Sequence, residues 1–360
     1  MCGFGWEKNI RRVVPYTPGE QPTGEGIIKL NTNENPYPPC DGVKKALLDF
    51  KADRLRLYPD TDSKELTAAL AGFLRVSENR VFLGVGSDDV ISMAFLTFFS
   101  SGKPVFFPDV TYSFYDVWAS VYGIPFETKP IDENFKINPD DYKGENGGII
   151  FPNPNAPTGV YESIETVEKI LSQNPDSVVI VDEAYIDFGG KSCIGLIDKY
   201  DNLLVVQTFS KSRSLAGARI GFAVGNEKLI KYLNDVKFSV NSYTMNALSQ
   251  TVGLESVKDR DYFKTTTEKI IATRERTKAK LKTLGFSFPD SMANFIFASH
   301  SEVPADVLFK KLKERKIFVR HWNKPRIDNY LRITVGTDEQ MNSLISALDE
   351  IIKEERGNAI

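Results

Sequence analysis

Apolar positions follow two patterns along this chain, and each predicts a different use of the backbone. Val81-Phe82-Leu83, Val105-Phe106-Phe107, Ile149-Ile150-Phe151, Val178-Val179-Ile180-Val181 and Leu203-Leu204-Val205-Val206 are apolar at every position. Runs this short and unbroken, rich in β-branched and aromatic residues, predict strands covered on both faces. The stretches between them carry helix signals, as from Ser63 to Leu74 and from Val90 to Leu96. Strand alternating with helix predicts an α/β protein whose large domain is a three-layer αβα stack around a mostly parallel sheet.

Beyond Gly221-Phe222-Ala223-Val224 the pattern changes. The chain reads as helical through about residue 284, with lysine and glutamate dense from Thr265 to Lys282, as on a long connecting helix with a solvated face. A smaller α+β unit follows: strands at 294–298, 317–320 and 331–335, and helices at 304–315 and 338–355. Residues 1–40 are rich in proline, glycine and asparagine and predict an extended arm draped over another surface, with a short strand at Ile27-Ile28-Lys29-Leu30. The expected organisation is an arm at 1–40, a large domain at 41–275, and a small domain at 276–360 that takes in part of the arm.

Composition narrows the partners. The 360 residues are 41% hydrophobic and 26% charged with a formal charge of -3, which gives no electrostatic footprint for nucleic acid. No apolar run approaches bilayer length, so no membrane partner is expected. Cys2, Cys40 and Cys193 show no paired or metal-ligand spacing, which favours a reducing cytoplasm and no metal. The two histidines, His300 and His321, sit near no nucleophile motif, which disfavours triad hydrolysis. Small soluble ligands remain.

The candidate chemistry lies where the predicted strands end. Gly84-Val85-Gly86-Ser87-Asp88 is a glycine turn into a helix start, with Ser87 or Asp88 as the expected cap, and free amides there suit a phosphate; a simple turn is the plainer explanation. Tyr112 follows the second strand and could cover a planar ring; Asn155 sits in the rigid Pro152-Asn153-Pro154-Asn155-Ala156-Pro157-Thr158-Gly159 turn after the third. Asp182 ends the fourth strand, either capping the next helix or pairing with a buried cation, and Tyr185 stands close behind it. The fifth exits into Thr208-Phe209-Ser210-Lys211-Ser212-Arg213-Ser214-Leu215-Ala216-Gly217-Ala218-Arg219. Lys211 with Ser210 and Arg219 offers the amine, hydroxyl and fixed cation that a phosphorylated aldehyde cofactor requires. In a parallel sheet all these groups meet along one edge.

The lysine stretch, Asp182-Glu183-Ala184-Tyr185, Leu30-Asn31-Thr32-Asn33-Glu34-Asn35-Pro36, Trp6-Glu7-Lys8-Asn9-Ile10 and Leu331-Arg332-Ile333-Thr334-Val335-Gly336 carry a resemblance that runs nearly end to end. The chain resembles the aspartate-aminotransferase-like enzymes of fold type I that depend on pyridoxal 5'-phosphate, and within them the branch that acts on histidinol phosphate. The resemblance implies that Lys211 holds the cofactor as a Schiff base and moves the substrate proton, Asp182 keeps the pyridine nitrogen protonated, and Tyr185 bonds the ring oxygen. Tyr112 would stack on the ring, while the amides of Ser87 and Asp88 beside Gly86, with Ser210 and Arg219, would take the phosphate. The family often has asparagine directly before Pro-Thr-Gly; here that position is Ala156, so either Asn155 supplies the ring-oxygen contact from a shifted turn or Tyr185 carries it alone. Arg332 would meet the glutamate carboxylate and the substrate phosphate, with Arg320, Tyr16 and Asn33 assisting. Tyr58 would reach over from a second subunit of a homodimer. Transamination of histidinol phosphate with 2-oxoglutarate in histidine biosynthesis is thereby implied. The alternatives are an aromatic or broad-range aminotransferase, a decarboxylase of a phosphorylated amino acid, and a non-catalytic binding protein on the same scaffold.

Overall fold

The computed structural model describes residues 4–358; Cys2 lies outside them. In chain order the arm contributes β1 (Ile28–Lys29), followed by α1 (Asp41–Asp49), α2 (Lys64–Leu74), β2 (Val81–Gly84), α3 (Ser87–Phe98), β3 (Val105–Pro108), α4 (Tyr115–Tyr122), β4 (Phe126–Lys129) and β5 (Gly148–Pro152). Next come α5 (Ile164–Gln173), β6 (Val179–Asp182), β7 (Leu203–Thr208), β8 (Gly221–Gly225), α6 (Glu227–Val240), α7 (Ala247–Lys258) and α8 (Arg260–Thr283). The chain ends with β9 (Phe286–Ser287), β10 (Phe295–His300), α9 (Ala305–Glu314), β11 (Ile317–Phe318), β12 (Arg320–His321), β13 (Leu331–Thr334) and α10 (Asp338–Asn358).

A seven-stranded sheet runs in the order β2-β8-β7-β6-β5-β3-β4, and only β8 is reversed. Side chains of its central strands alternate between two separate cores. Ile149, Val181 and Val205 face one core with Leu66, Ile170 and Val252 from α2, α5 and α7. Ile150, Ile180 and Leu204 face another with Val90, Trp118 and Leu233 from α3, α4 and α6. Both faces are therefore covered by helices, which makes this a three-layer αβα stack and explains the unbroken apolar runs. β4, read from Phe126-Glu127-Thr128-Lys129, sits on the sheet edge with its side chains largely in water, so no apolar run announces it.

The second sheet is antiparallel, β12-β13-β10-β9, and packs Ile296 and Ile333 against Leu308 and Leu348 of α9 and α10. Where one strand was expected at 317–320, the backbone splits it: β11 pairs in parallel with β1 of the arm, and β12 pairs with β13. The predicted helical region before residue 284 is three helices, and its last, α8, runs along both units. Arg274 on α8 donates to the carbonyls of Phe188 (2.8 Å) and Ala293 (2.9 Å), tying a loop of the large sheet to the approach of β10.

Candidate active site

Strands β2, β3, β5, β6 and β7 point the same way, so their C-terminal ends share one edge, as ligand sites of open α/β sheets require. Because β8 is reversed, its start at Gly221 lies beside Thr208 and Gly84, and Arg219 just before it reaches that same edge. A hollow of about 380 Å³ opens there, roofed by the arm and by β12 and β13.

Lys211 lies half-buried in this hollow. Its Nζ donates to the Thr32 carbonyl (3.1 Å), and Asn35 Nδ2 fixes the lysine backbone by donating to the carbonyls of Lys211 (3.0 Å) and Ser212 (3.3 Å). Burial, helped by the nearby Arg332 charge, pulls the amine down to about 8. It makes no ion pair among the described residues. The neutral fraction near neutrality is thus far larger than for an ordinary lysine, as a nucleophile and base needs.

Asp182 terminates β6 almost fully buried. Burial raises its carboxyl to about 6, against the opposing pull of Tyr115 Oη, which donates to Oδ2 (3.0 Å), and of the Ala184 amide, which donates to Oδ1 (3.2 Å). The second is a turn bond and not a helix cap, since the helical turn at Ile186–Phe188 has Tyr185 at its N-cap; the first is not local. Tyr185 stands edge-on to Phe295 with its hydroxyl accepting from Asn33 Nδ2 at 2.9 Å.

The opposite wall is built around Arg219. Its guanidinium meets Asp88 Oδ2 at 3.0 Å and reaches Ser210 Oγ at 3.5 Å, while Thr208 Oγ1 donates to that same Ser210 oxygen (3.0 Å). Tyr112 Oη donates to the other Asp88 oxygen at 3.0 Å. Gly86, at φ 87°, precedes α3 and caps it, so neither Ser87 nor Asp88 is the cap; the first-turn amides receive no side-chain acceptor from the N-cap. A Cβ on Gly86 would lie 2.5 Å from the Arg219 guanidinium, so only glycine lets the arginine cross there.

At the outer end, Arg320 and Arg332 are register partners in the antiparallel pair β12–β13. Partnered positions put side chains on one face, and two like charges there call for an anion. Arg332 Nη2 donates to the Asn31 carbonyl (3.0 Å), but its buried Nε has no partner. Its guanidinium carbon sits 5.1 Å from the Trp322 ring centre. Arg320 donates to the carbonyls of Thr17 and Pro18 (3.2 and 3.4 Å), which brings Tyr16, stacked on Phe114 at 4.1 Å, to the rim.

Three of the expected residues stand differently towards this hollow. Asn155 does not face the hollow: its Nδ2 is spent on the Val110 carbonyl and Thr158 Oγ1, both at 3.0 Å, and Ala156 is the residue that lines the wall. Asn33 lines the hollow with one amide hydrogen donated to Tyr185 and its oxygen accepting from Thr334 Oγ1 (3.1 Å), so it braces Tyr185. Tyr58, expected at a neighbouring chain's site, lies outside this chain's own hollow, 80% exposed and stacked on Tyr243 at 4.3 Å. Tyr115 and Asn35 were not singled out from sequence. Tyr115 was findable, since it lies three residues after Tyr112 in the same turn, its amide bonded to the Tyr112 carbonyl.

The residues present fit a pyridoxal phosphate. A buried carboxylate without a cation, an amine of lowered basicity, and a serine, a guanidinium and bare helix amides at the far wall match its ring nitrogen, aldehyde and phosphate. Among the described residues no cluster could hold a metal ion.

Comparison with known proteins agrees with this geometry. The family model described as aminotransferase class I and II matches residues 25–348. A histidinol-phosphate aminotransferase of Lactococcus lactis subsp. cremoris (strain MG1363) is 51% identical over 350 residues, covering 97% of this chain and 98% of that protein. One of Hydrogenovibrio crunogenus is 50% identical over 348 residues, with 97% and 98% covered. The histidinol-phosphate aminotransferase of Sinorhizobium meliloti, solved in complex with pyridoxal-5'-phosphate, superposes with a TM-score of 0.84 over 91% of each chain at 22% identity, a likeness of fold.

Proposed function

The chain belongs to the class I and II aminotransferase family, and from that premise we propose that it transaminates histidinol phosphate with 2-oxoglutarate, giving imidazole-acetol phosphate and glutamate in histidine biosynthesis. The observation that carries this reading is the pair of register-partnered arginines, Arg320 and Arg332, beside an amine and a carboxylate that have no ion-pair partners of their own.

Pyridoxal phosphate, when bound, supplies an aldehyde that captures amines and a ring that accepts the electrons left by a departing α-proton. The chain does the rest. Asp182 would hold the ring nitrogen protonated, Tyr185 would donate to the ring oxygen, and Tyr112 would cover the ring face. Since Asn33 already donates to the Tyr185 hydroxyl, the proton of that hydroxyl is free to point at the ring. Ser210, Arg219 and the amides of Ser87 and Asp88 would receive the cofactor phosphate. Lys211 would take the proton from the substrate α-carbon as general base and give it back, past the amine nitrogen, as general acid. Arg332 and Arg320 would clamp the substrate phosphate in one half-reaction and a carboxylate in the other, which a planar, permanently charged fork does equally well.

The active unit we propose is a homodimer in the cytoplasm, with Tyr58 completing the neighbour's site. Leu47, Leu48, Leu55, Leu57 and Tyr58 are all largely exposed, an apolar surface suited to a second copy. Buried, unpaired Cys40 and Cys193 suit a reducing compartment. The division into arm (1–40), large domain (41–275) and small domain (276–360) is proposed with α8 as the shared wall.

The test is a spectral titration of the purified, yellow protein with histidinol phosphate, phenylalanine and glutamate. Colour change and glutamate-dependent turnover on histidinol phosphate support the reading. Faster turnover on phenylalanine identifies a broad-range aminotransferase, and release of carbon dioxide a decarboxylase. For the dimer, mixing Lys211→Ala and Tyr58→Ala chains should restore activity that neither has alone, and a monomer by sedimentation overturns it.

A further inference from the structure

Resting on the cofactor reading above, we propose that Tyr115 is a positioning residue for the reaction: its hydroxyl fixes the orientation and charge of Asp182, and through it the grip on the cofactor's ring nitrogen. Tyr115 is the first residue of α4 and is fully buried. Its ring packs edge-on to Phe107 (5.9 Å) and Tyr112 (5.8 Å), and a phenylalanine would fill that space equally well. Packing therefore accounts for the ring and leaves the hydroxyl to be explained. That hydroxyl makes one hydrogen bond, to Asp182 Oδ2 at 3.0 Å, across 67 residues of sequence.

The carboxylate depends on that bond. Its Oδ1 is held by the Ala184 amide, a turn bond that comes with the backbone, so among the described residues Tyr115 is the only side chain that donates to it. A buried carboxylate keeps its charge in proportion to the donors it is given. It is pinned on one oxygen by each donor and so presents a fixed edge to the hollow. Burial drives the Tyr115 phenol well above its ordinary range, so it remains a donor at every working pH. The chain delivers two tyrosines from one turn: Tyr112 forms the wall of the hollow, while Tyr115 passes beneath it to the carboxylate.

The experiment is a double-mutant cycle read by cofactor affinity. The apoprotein, Tyr115→Phe, Asp182→Asn and the double variant are titrated with pyridoxal phosphate by absorbance, with melting temperatures of each apoprotein measured alongside. Loss of a hydrogen bond to a charged group predicts a dissociation constant raised about 10- to 100-fold by Tyr115→Phe, and a change below about twofold when Asp182 is already asparagine. Equal weakening in both backgrounds, or none in either, overturns the proposal, because a purely structural tyrosine would not distinguish them. If Tyr115→Phe does not fold, a ring-fluorinated tyrosine at position 115 keeps the shape and strengthens the donor: tighter cofactor binding supports the proposal and unchanged binding overturns it. A wild-type chain that takes up no cofactor is a different result, and overturns the reading of the whole site.

Discussion

Two of this molecule's hollows differ in a telling way, and the larger of the two has none of the features of a reaction site. It measures about 450 Å³ and sits between Phe135, Lys136 and Tyr161 on one side and Ser287 to Asp290 on the other. There Lys136 is bonded to the Tyr161 carbonyl and Asp290 is paired with Lys278, both at 2.5 Å. The hollow at the strand edge is smaller, about 380 Å³, yet its amine and its carboxylate have no ion-pair partner among the described residues, and one buried guanidinium nitrogen has no hydrogen-bond partner. Volume is what packing leaves over; unmatched charge persists only where a ligand is to match it.

The contrast breaks first, and furthest, at Lys211. Lys211→Ala should lower transamination by at least about 10⁴-fold, measured as glutamate formed from 2-oxoglutarate, because it removes both the covalent attachment and the proton carrier. A variant retaining activity would detach the chemistry from this hollow altogether. Arg332→Lys keeps the charge and loses the fork. We expect kcat/KM to fall about 10- to 100-fold for both anionic substrates, with cofactor affinity unchanged.

A third test turns the unmatched charge into a stability measurement. Asp182 has a folded value near 6, above its ordinary unfolded value, so the folded state binds the extra proton. Its favourable contribution is present below the unfolded value and is lost as pH rises through 6. Denaturation of cofactor-free protein should find Asp182→Asn more stable than wild type by about 2 kcal/mol at pH 8, and the gap should close towards pH 4. A gap independent of pH would mean that the carboxylate is already matched. The smallest effects are expected from positions outside the strand-edge hollow. Asn155→Ala should leave cofactor affinity within about twofold and cost about 1 kcal/mol of stability, and Tyr161→Phe in the larger hollow should leave turnover unchanged.

Much of this arrangement was legible in the chain because parallel strands buried on both faces are written as unbroken apolar runs. The runs ending near Leu83, Phe107, Phe151, Val181 and Val206 located five strand exits, and so located Ser87, Tyr112, Asp182 and Lys211 together. Illegible features were those fixed by contacts remote in sequence. β4 is polar because it lies at an edge, and the break between β11 and β12 arises because each pairs with a different partner. Asn155 is turned from the hollow by the Val110 carbonyl, 45 residues before it, and Tyr115 gains its role only from Asp182. Residue type and position in a motif fix what a side chain can offer; its neighbours in space decide to whom.

The reversed strand β8 sets a limit on how this chain can vary. Lys211 and Arg219 reach the same hollow because the chain leaves β7, crosses residues 209–220, and re-enters the sheet beside the strand it left. Loops elsewhere on the molecule can lengthen with little effect on what they join. An added residue between 211 and 219 would part the amine from the guanidinium, so insertions scanned along the whole chain should find this segment among the least tolerant of any outside a helix or strand.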